Sequence, residues 1–451
     1  MTAAHATVDG SRERLRLLED IAGQLLQRAR AAGASQAEVA CSEDRGLNVN
    51  VRMGDVETVE ATHDRGVSVT VYFGQRKGSA STADLRESSL EATVAQAVAI
   101  ARHTEEDAAA GLADAERMAD GSGDFDGWHP WDIDADAAID LALACEQAGR
   151  DFDPRVENAD GTQVATGRSL GVYANSHGFL GSERHTRHSI SCALIAGRGA
   201  DMQRDGWYSL ALEAGALEPA QQVGRKAAER TLARLSPRSV ATGPLPVLFS
   251  ADVARSLIGH FLSAISGGAL YRRASFLLDS VGQPLFPPWM RIDELPHLMR
   301  GLRSAAFDAE GVATREAPLV VDGILQRYVL GSYSARKLGL ASTGNAGGVH
   351  NLQVAGNGID QSGLLLELGD GLLVTELMGQ GVNPVTGDYS RGAAGFLVEG
   401  GRISHPVDGI TIAGNLRRMF SGIRAIGDDV DPRSHIACGS ILVDGMTVAG
   451  E

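Results

Sequence analysis

At 451 residues, 43% hydrophobic and only 5% aromatic, the chain is too long for one ordinary core and too apolar for a disordered tail, so two or more domains filled by small aliphatic side chains are expected. A formal charge of −16 excludes a protein that tracks nucleic-acid phosphates, because such proteins cluster Lys and Arg. Four scattered cysteines (Cys41, Cys145, Cys192, Cys438) without a C-x-x-C pair exclude a zinc ribbon or a disulfide framework. With no apolar leader and no run of membrane-span length, the chain reads as a soluble cytoplasmic protein.

Residues 12–32 are predicted to form a helix, with Leu15, Leu18, Ile21, Leu25 and Ala29 at helical spacing and Gly33 as the C-terminal cap. The period then changes to two. Leu47, Val49, Val51 and Met53 mark one strand, and Val67, Val69, Val71 and Phe73 another, with turns predicted at Gly54-Asp55 and Arg65-Gly66. Asp84 and Glu87 resemble a capping box before a second helix bearing Leu90, Val94, Val98 and Ala101. Residues 104–136 carry eleven acidic side chains against one basic one, Arg117, and are expected to be a solvated acidic loop rather than a docking surface for a basic partner.

The same order then returns. Asp136 is predicted to cap a helix running to about residue 150, strands follow between 156 and 212, and Pro219 opens a helix with Val223, Ala227, Thr231 and Leu235 on one stripe. The fold class is therefore α+β. Residues 1–240 form an N-terminal domain of two helix–antiparallel-meander–helix units, 1–103 and 135–238, joined by the acidic spacer. The boundary falls within Arg238–Pro246. Residues 241–451 read as a mostly β domain with a few helices: β-like runs at 318–331, 363–378, 396–404 and 408–414, and a helix near 251–266 with Val253, Leu257, Phe261 and Ile265 aligned.

Short motifs offer little chemistry. H-E-x-x-H presents two imidazoles to one zinc ion, yet the chain contains no His-Glu dipeptide. His185 and His188 sit three apart in a predicted strand and so face opposite sides; His188 shares a face with Cys192, where packing is the expected role. Ser334-Ala-Arg-Lys337 matches S-x-x-K, but the chain lacks the S-D-N and K-T-G that accompany serine–lysine catalysis. The run Gly344 to Gly348 reads as a turn rather than a phosphate cradle. The densest polar cluster lies at 375–396, where Glu376, Gln380, Asp388, Tyr389, Ser390 and Arg391 sit among five glycines. Such a loop serves ligand contact or close packing, and an ordering Asp388–Arg391 ion pair is the simpler expectation.

Long runs carry a resemblance. SYSARKLGLASTGNAGGVHN at 332–351, TELMGQGVNPVTGDYSRGAAGF at 375–396, DGITIAGNL at 408–416 and CGSILVDGMTVAGE at 438–451 resemble the PmbA/TldE proteins of the TldD/PmbA metalloprotease family, also called modulators of DNA gyrase. The resemblance implies a heterodimer with a TldD-type protease acting on unfolded or short peptides; the charge of −16 argues against nucleic acid as a partner and the lack of an apolar span against a membrane, and a homodimer is the alternative open to the chain alone, because its partner-facing surface is then exposed. In the TldD-type protease the motif H-E-x-x-x-H opens the C-terminal domain and a downstream Cys completes the zinc site. With Tyr271-Arg272-Arg273 as register, those motif positions fall here near Gly259, His260 and Ala264. No catalytic residue, metal ligand or cofactor is therefore expected in this chain, and the zinc belongs to the partner. The residues expected to line a cavity or touch peptide are His350, Glu376, Gln380, Asp388 and Arg391. Two rivals are a hydrolase with an atypical site around His350, Glu376 and Asp388, and a homodimeric peptide-binding regulator.

Overall fold

The computed structural model describes residues 10–121 and 123–450; residues 1–9 of the first expected domain, Ser122 of the spacer and the last residue of the second domain lie outside the described residues. The helical stripe at the start becomes α1 (Ser11–Ala31), which buries Leu18, Ile21, Ala22, Leu25 and Ala29. Then come β1 (Gln36–Arg52), β2 (Asp55–Phe73), β3 (Arg76–Thr82) and α2 (Glu87–His103). The pattern repeats as α3 (Ala135–Arg150), β4 (Val156–Asn175), β5 (Leu180–Ala196), β6 (Gln203–Ala211) and α4 (Ala220–Ala233). The two meanders fuse through an antiparallel β1–β4 pair into one six-stranded sheet, β3-β2-β1-β4-β5-β6, with Cys41 opposite Val172 and Val49 opposite Val164. Alternate residues of β1 and β4 feed two cores. Val39, Cys41 and Val172 pack under α1 and α2, whereas Val49, Val51 and Val164 pack under α3 and α4. Both helix pairs thus cover one face of the sheet, at opposite ends, and the other face is left for the second half of the chain.

Three local expectations need correction. β2 runs unbroken through Arg65 and Gly66, and the turn sits at Gly74, which takes a φ of 63°. Gly66 has no positive φ and is held in register opposite Ser42, so the glycine alone did not make a turn. Asp84 does not cap α2: its carboxylate accepts from the Arg86 N–H and the Ser89 hydroxyl. Asp134 rather than Asp136 caps α3, accepting from the Ala137 N–H at 2.8 Å.

The acidic spacer is solvated, as expected, in that nine of its eleven acids are exposed, but it is also a strap fastened to the second half of the chain. Lys337 reaches Asp107, Arg300 reaches Asp126, and Arg336 donates to the carbonyls of Ala109, Gly111 and Leu112 and to Asp114. Backbone bonds from Ala119 to Gly311 and from Ala313 to Arg117 fasten it further. One guanidinium therefore satisfies three carbonyls of a segment that has little regular structure of its own. Arg336→Ala is expected to destabilise the protein by about 1–3 kcal/mol, as loss of charged hydrogen bonds does. It should also bring forward protease cleavage within 104–121, read by limited proteolysis; an unchanged cleavage pattern would mean the strap is held elsewhere.

The second half opens with β7 (Gly243–Phe249), α5 (Ala251–Ala264) and α6 (Gly267–Tyr271). A small sheet follows from β8 (Ile292–Glu294), β9 (Ala317–Val321), β10 (Ile324–Leu325), β11 (Leu352–Val354) and a late strand, with α7 (Ser332–Leu338) between. Next are α8 (Gln361–Leu368), β12 (Gly371–Met378), β13 (Asp388–Glu399), β14 (Arg402–Asn415), α9 (Leu416–Ser421), β15 (Ile423–Ile426), β16 (Ile436–Ala437) and β17 (Ile441–Ala449). β16 completes the small sheet beside β11. β7, β12, β13, β14 and β17 close on themselves through the β14–β17 pairing, which makes a barrel with β15 along one side. The run 363–378, expected as β, splits in two. Its first part is α8, capped by Asp360 accepting from the Gly363 N–H. Three consecutive leucines fit either state, and the cap decides. The largest core joins α5 (Leu257, Ile258, Phe261) to the barrel (Phe249, Tyr389, Ile412, Val443).

The halves are tied together by charge and stacking. Arg234, the C-terminal cap of α4, meets both Asp205 and Glu376, and Arg433 lies over the Trp207 ring, 3.8 Å from its centroid. Among the described residues no helix is long and apolar enough to cross a membrane.

Candidate functional site

α5 carries Gly259, His260 and Ala264, the positions near which the metal motif was expected to fall. Gly259 offers no side chain, and Ala264 is buried in the core. His260 stands edge-on to Tyr389 with ring centroids 5.9 Å apart. Its Nε2 is buried without a hydrogen-bond partner. Burial, and then the nearby Arg391 charge, pushes the His260 pKa down, so the ring is neutral at pH 7. Tyr389 and Arg391 reach this place because β13 alternates: 389, 391 and 393 share the inward face. The Arg391 guanidinium lies close enough to the Tyr389 hydroxyl to oppose the effect of burial, which nonetheless pushes that phenol up to about 12. Yet neither the hydroxyl nor Arg391 Nε finds a partner in hydrogen-bond geometry.

This donor set does not fit a catalytic zinc ion. Three protein ligands are needed, and α5 supplies one imidazole facing a cation. Among the described residues no group of three His, Cys, Asp or Glu could hold a metal. Cys438 is deeply buried, its Sγ donating to the Gly439 carbonyl, and burial together with Asp429 pushes its thiol up to about 12. No step through a metal follows from these residues.

A second region is a cavity of about 630 Å³ between the uncovered face of the N-terminal sheet and loops of the C-terminal half. Ser169, Glu183, His185 and Arg187 line it from the sheet, and Arg303, Asp308 and His350 from the loops. Burial pushes Asp308 up to about 6, against the N–H groups of Ala346, Glu310 and Val312 that favour its charge. Close by, burial and then the charges of Arg303 and Arg187 push His435 down to about 4. The walls include the bare backbones of Gly167, Gly171, Gly347 and Gly348, which let another main chain approach closely. Such a wall of mixed charge and open backbone suits binding an extended polar chain.

Three profiles of the PmbA/TldA metallopeptidase family match in order: domain 1 over residues 37–101, the central domain over 128–235 and the C-terminal domain over 242–450. The chain is 47% identical to "Metalloprotease PmbA" of Escherichia coli O157:H7 over 97% of both chains. The chain belongs to the PmbA/TldD metallopeptidase family. The PmbA homolog of Haemophilus influenzae is also 47% identical, over 94% of both chains. Among solved structures of this fold, one described as a modulator of DNA gyrase from Bacteroides thetaiotaomicron superposes with a TM-score of 0.91 at 26% identity, covering 96% of this chain and 99% of that one. TldE from Thermococcus kodakarensis has the same fold, with a TM-score of 0.84 at 18% identity over 95% of this chain and 100% of its own.

Within this family fold the residues expected to line a cavity or touch peptide occupy separate places. His350 lines the interdomain cavity, its N–H and ring bound to Glu294. Glu376 on β12 is half-buried and paired with Arg234. Gln380 is exposed in the turn after β12. Asp388 is exposed at the start of β13, held by Thr386 and Asn415. Arg391, three residues on, points to the other side of the strand and faces His260, so the ordering ion pair expected between these two does not form. The shorter motifs are absorbed by structure. His188 is buried, bonded to Thr166 and to the His129 carbonyl, and Cys192 accepts from Thr162. Ser334 donates to the Gly331 carbonyl while Lys337 holds Asp107. Gly344, Gly347 and Gly348 take positive φ in a turn. No short motif marks the convergence of His260, Tyr389 and Arg391; the period-two spacing of 389, 391 and 393 was its available signal.

Proposed function

We propose that the chain is the non-catalytic PmbA/TldE-type subunit of a cytoplasmic two-chain zinc protease for unfolded or short peptides. The observation that carries this reading is α5: where the family's protease motif falls, it offers one neutral imidazole packed against Tyr389 and faced by Arg391. An ion needing three ligands has no place there, so hydrolysis belongs to a TldD-type partner. The free edge of β2 supports association with that partner. β2 pairs with β3 only over Val67–Phe73, and its first half, with Val56 and Val59 exposed, offers unpaired backbone on one side. The four free, buried cysteines suit a reducing compartment.

The test is co-expression with a TldD-type chain and an assay on an unfolded peptide, with zinc measured in each chain. Cleavage is expected only when both chains are present, with zinc in the partner alone. Full activity from the partner by itself, or stoichiometric zinc in this chain, would overturn the proposal.

A further inference from the structure

Four of the seven buried side-chain polar atoms that lack a hydrogen-bond partner among the described residues belong to residues of α5 and the start of β13: Ser256 Oγ, His260 Nε2, Tyr389 Oη and Arg391 Nε. Ser256 and His260 are one helical turn apart on the same face of α5. Tyr389 and Ala393, which flank Arg391 on its face of β13, are 1% and 0% exposed and belong to the main core. An arginine between such neighbours ordinarily has an acid beside it. Arg234, Arg255, Arg327 and Arg433 each do, and Arg391 has none among the described residues. Leaving buried polar groups unpaired is costly, and most so for a charged one, so such clusters persist where something else completes them.

We propose that Ser256, His260, Tyr389 and Arg391 form a carboxylate-binding site, and that its ligand is the free C-terminal carboxylate of a peptide. The donor set decides the chemistry. A guanidinium fork matches the two oxygens of a carboxylate, and the tyrosine and serine hydroxyls and the imidazole N–H add donors around it. A cation is repelled by Arg391, and an uncharged ligand leaves that charge unanswered. Arg391 is only partly buried, and of its guanidinium only Nε is among the buried unpartnered atoms, so the end of the fork is where a carboxylate would first meet the site. The peptide part rests on the reading of the chain as a subunit of a peptide-processing complex; the carboxylate part does not.

The experiment uses the full-length chain alone, so its outcome is separate from whether a partner needs this subunit for cleavage. Calorimetry would compare an unfolded peptide free of Asp and Glu, the same peptide amidated at its C-terminus, the amide carrying one internal Glu, and acetate. The free acid should bind at least tenfold tighter than its amide. Arg391→Gln should remove that difference and leave the amide unaffected, and Tyr389→Phe, which keeps the ring in the core, should weaken the free acid several-fold. Arg391→Gln should melt at or above the wild-type temperature, because it removes an unpaired charge; if it does not fold, Tyr389→Phe and His260→Gln carry the test. Equal binding of acid and amide overturns the proposal, as does undiminished binding of the acid by folded variants. Tight binding of the internal-Glu amide overturns the assignment to a chain end, and acetate binding as tightly as the peptide overturns a peptide ligand.

Discussion

Replacing Glu294 by Ala is expected to cost the protein about 3–5 kcal/mol, the range found when one partner of a buried ion pair is removed. Glu294 closes the short strand β8 and is 2% exposed. Arg327 donates to one oxygen. The other accepts from Asn345 at 2.8 Å, the His350 N–H at 2.7 Å and the His350 ring at 2.9 Å. Truncation strands the Arg327 charge, whose Nε already lacks a partner, and frees the 344–351 turn that walls the interdomain cavity. Glu294→Gln keeps an acceptor and the side-chain shape and should cost less, so the gap between the two variants in urea unfolding isolates the anchoring of the turn. If both variants unfold like the wild type, the network is not a source of stability.

The same carboxylate gives a pH dependence of known sign. Burial raises its pKa, but hydrogen bonds from His350 and the charge of Arg327 outweigh burial and hold it below the ordinary glutamate value of 4.5. A group whose pKa is depressed on folding adds stability that is fully present above the unfolded value and is lost as pH falls through the folded one. Acid unfolding of the wild type below pH ~4.5 should therefore be steeper than that of Glu294→Gln.

Glu294 also shows what a single sequence withholds. In the run Arg291-Ile-Asp-Glu294 it is one acid among three charges, and its partner His350 lies 56 positions away. His350 itself was named as a site candidate, but the group that positions it was not legible. The strap poses the same problem at larger range. Most acids of that segment are exposed, as read, but Asp107, Asp114 and Asp126 meet Lys337, Arg336 and Arg300, which lie up to 230 positions away. Periodicity, in contrast, is local. Val49 and Val51 of β1, Val94 of α2 and Val223 of α4 announced their buried faces because each needs only its own strand or helix to be read. The family resemblance then located α5 as the place to inspect. What stands around His260 needed the strand register that brings Tyr389 and Arg391 to it.

Gly224→Ala is expected to destabilise the protein by about 2–3 kcal/mol, whereas Gly23→Ala should stabilise it by up to about 1 kcal/mol, although a propensity scale treats the two helical glycines alike. A Cβ at Gly224 would stand 2.0 Å from the Cys145 carbonyl oxygen and 3.0 Å from the Gly149 nitrogen. A Cβ at Gly149 would come within 2.8 Å of the Gly224 carbonyl. α3 and α4 therefore cross backbone to backbone, and an alanine at Gly224 must push them apart. That movement opens the core around Cys145, Val223 and Ala227, and a gain in helix propensity of about 1 kcal/mol does not offset it. It also shifts Arg234, at the end of α4, away from Glu376 on β12, so the loss reaches the contact between the halves. At Gly23 on α1 no atom lies within 4 Å of an added Cβ, and only the propensity gain remains. Thermal melting of the two variants should shift in opposite directions. A shift of the same sign in both would mean that the close crossing of α3 and α4 does not limit the packing of this domain.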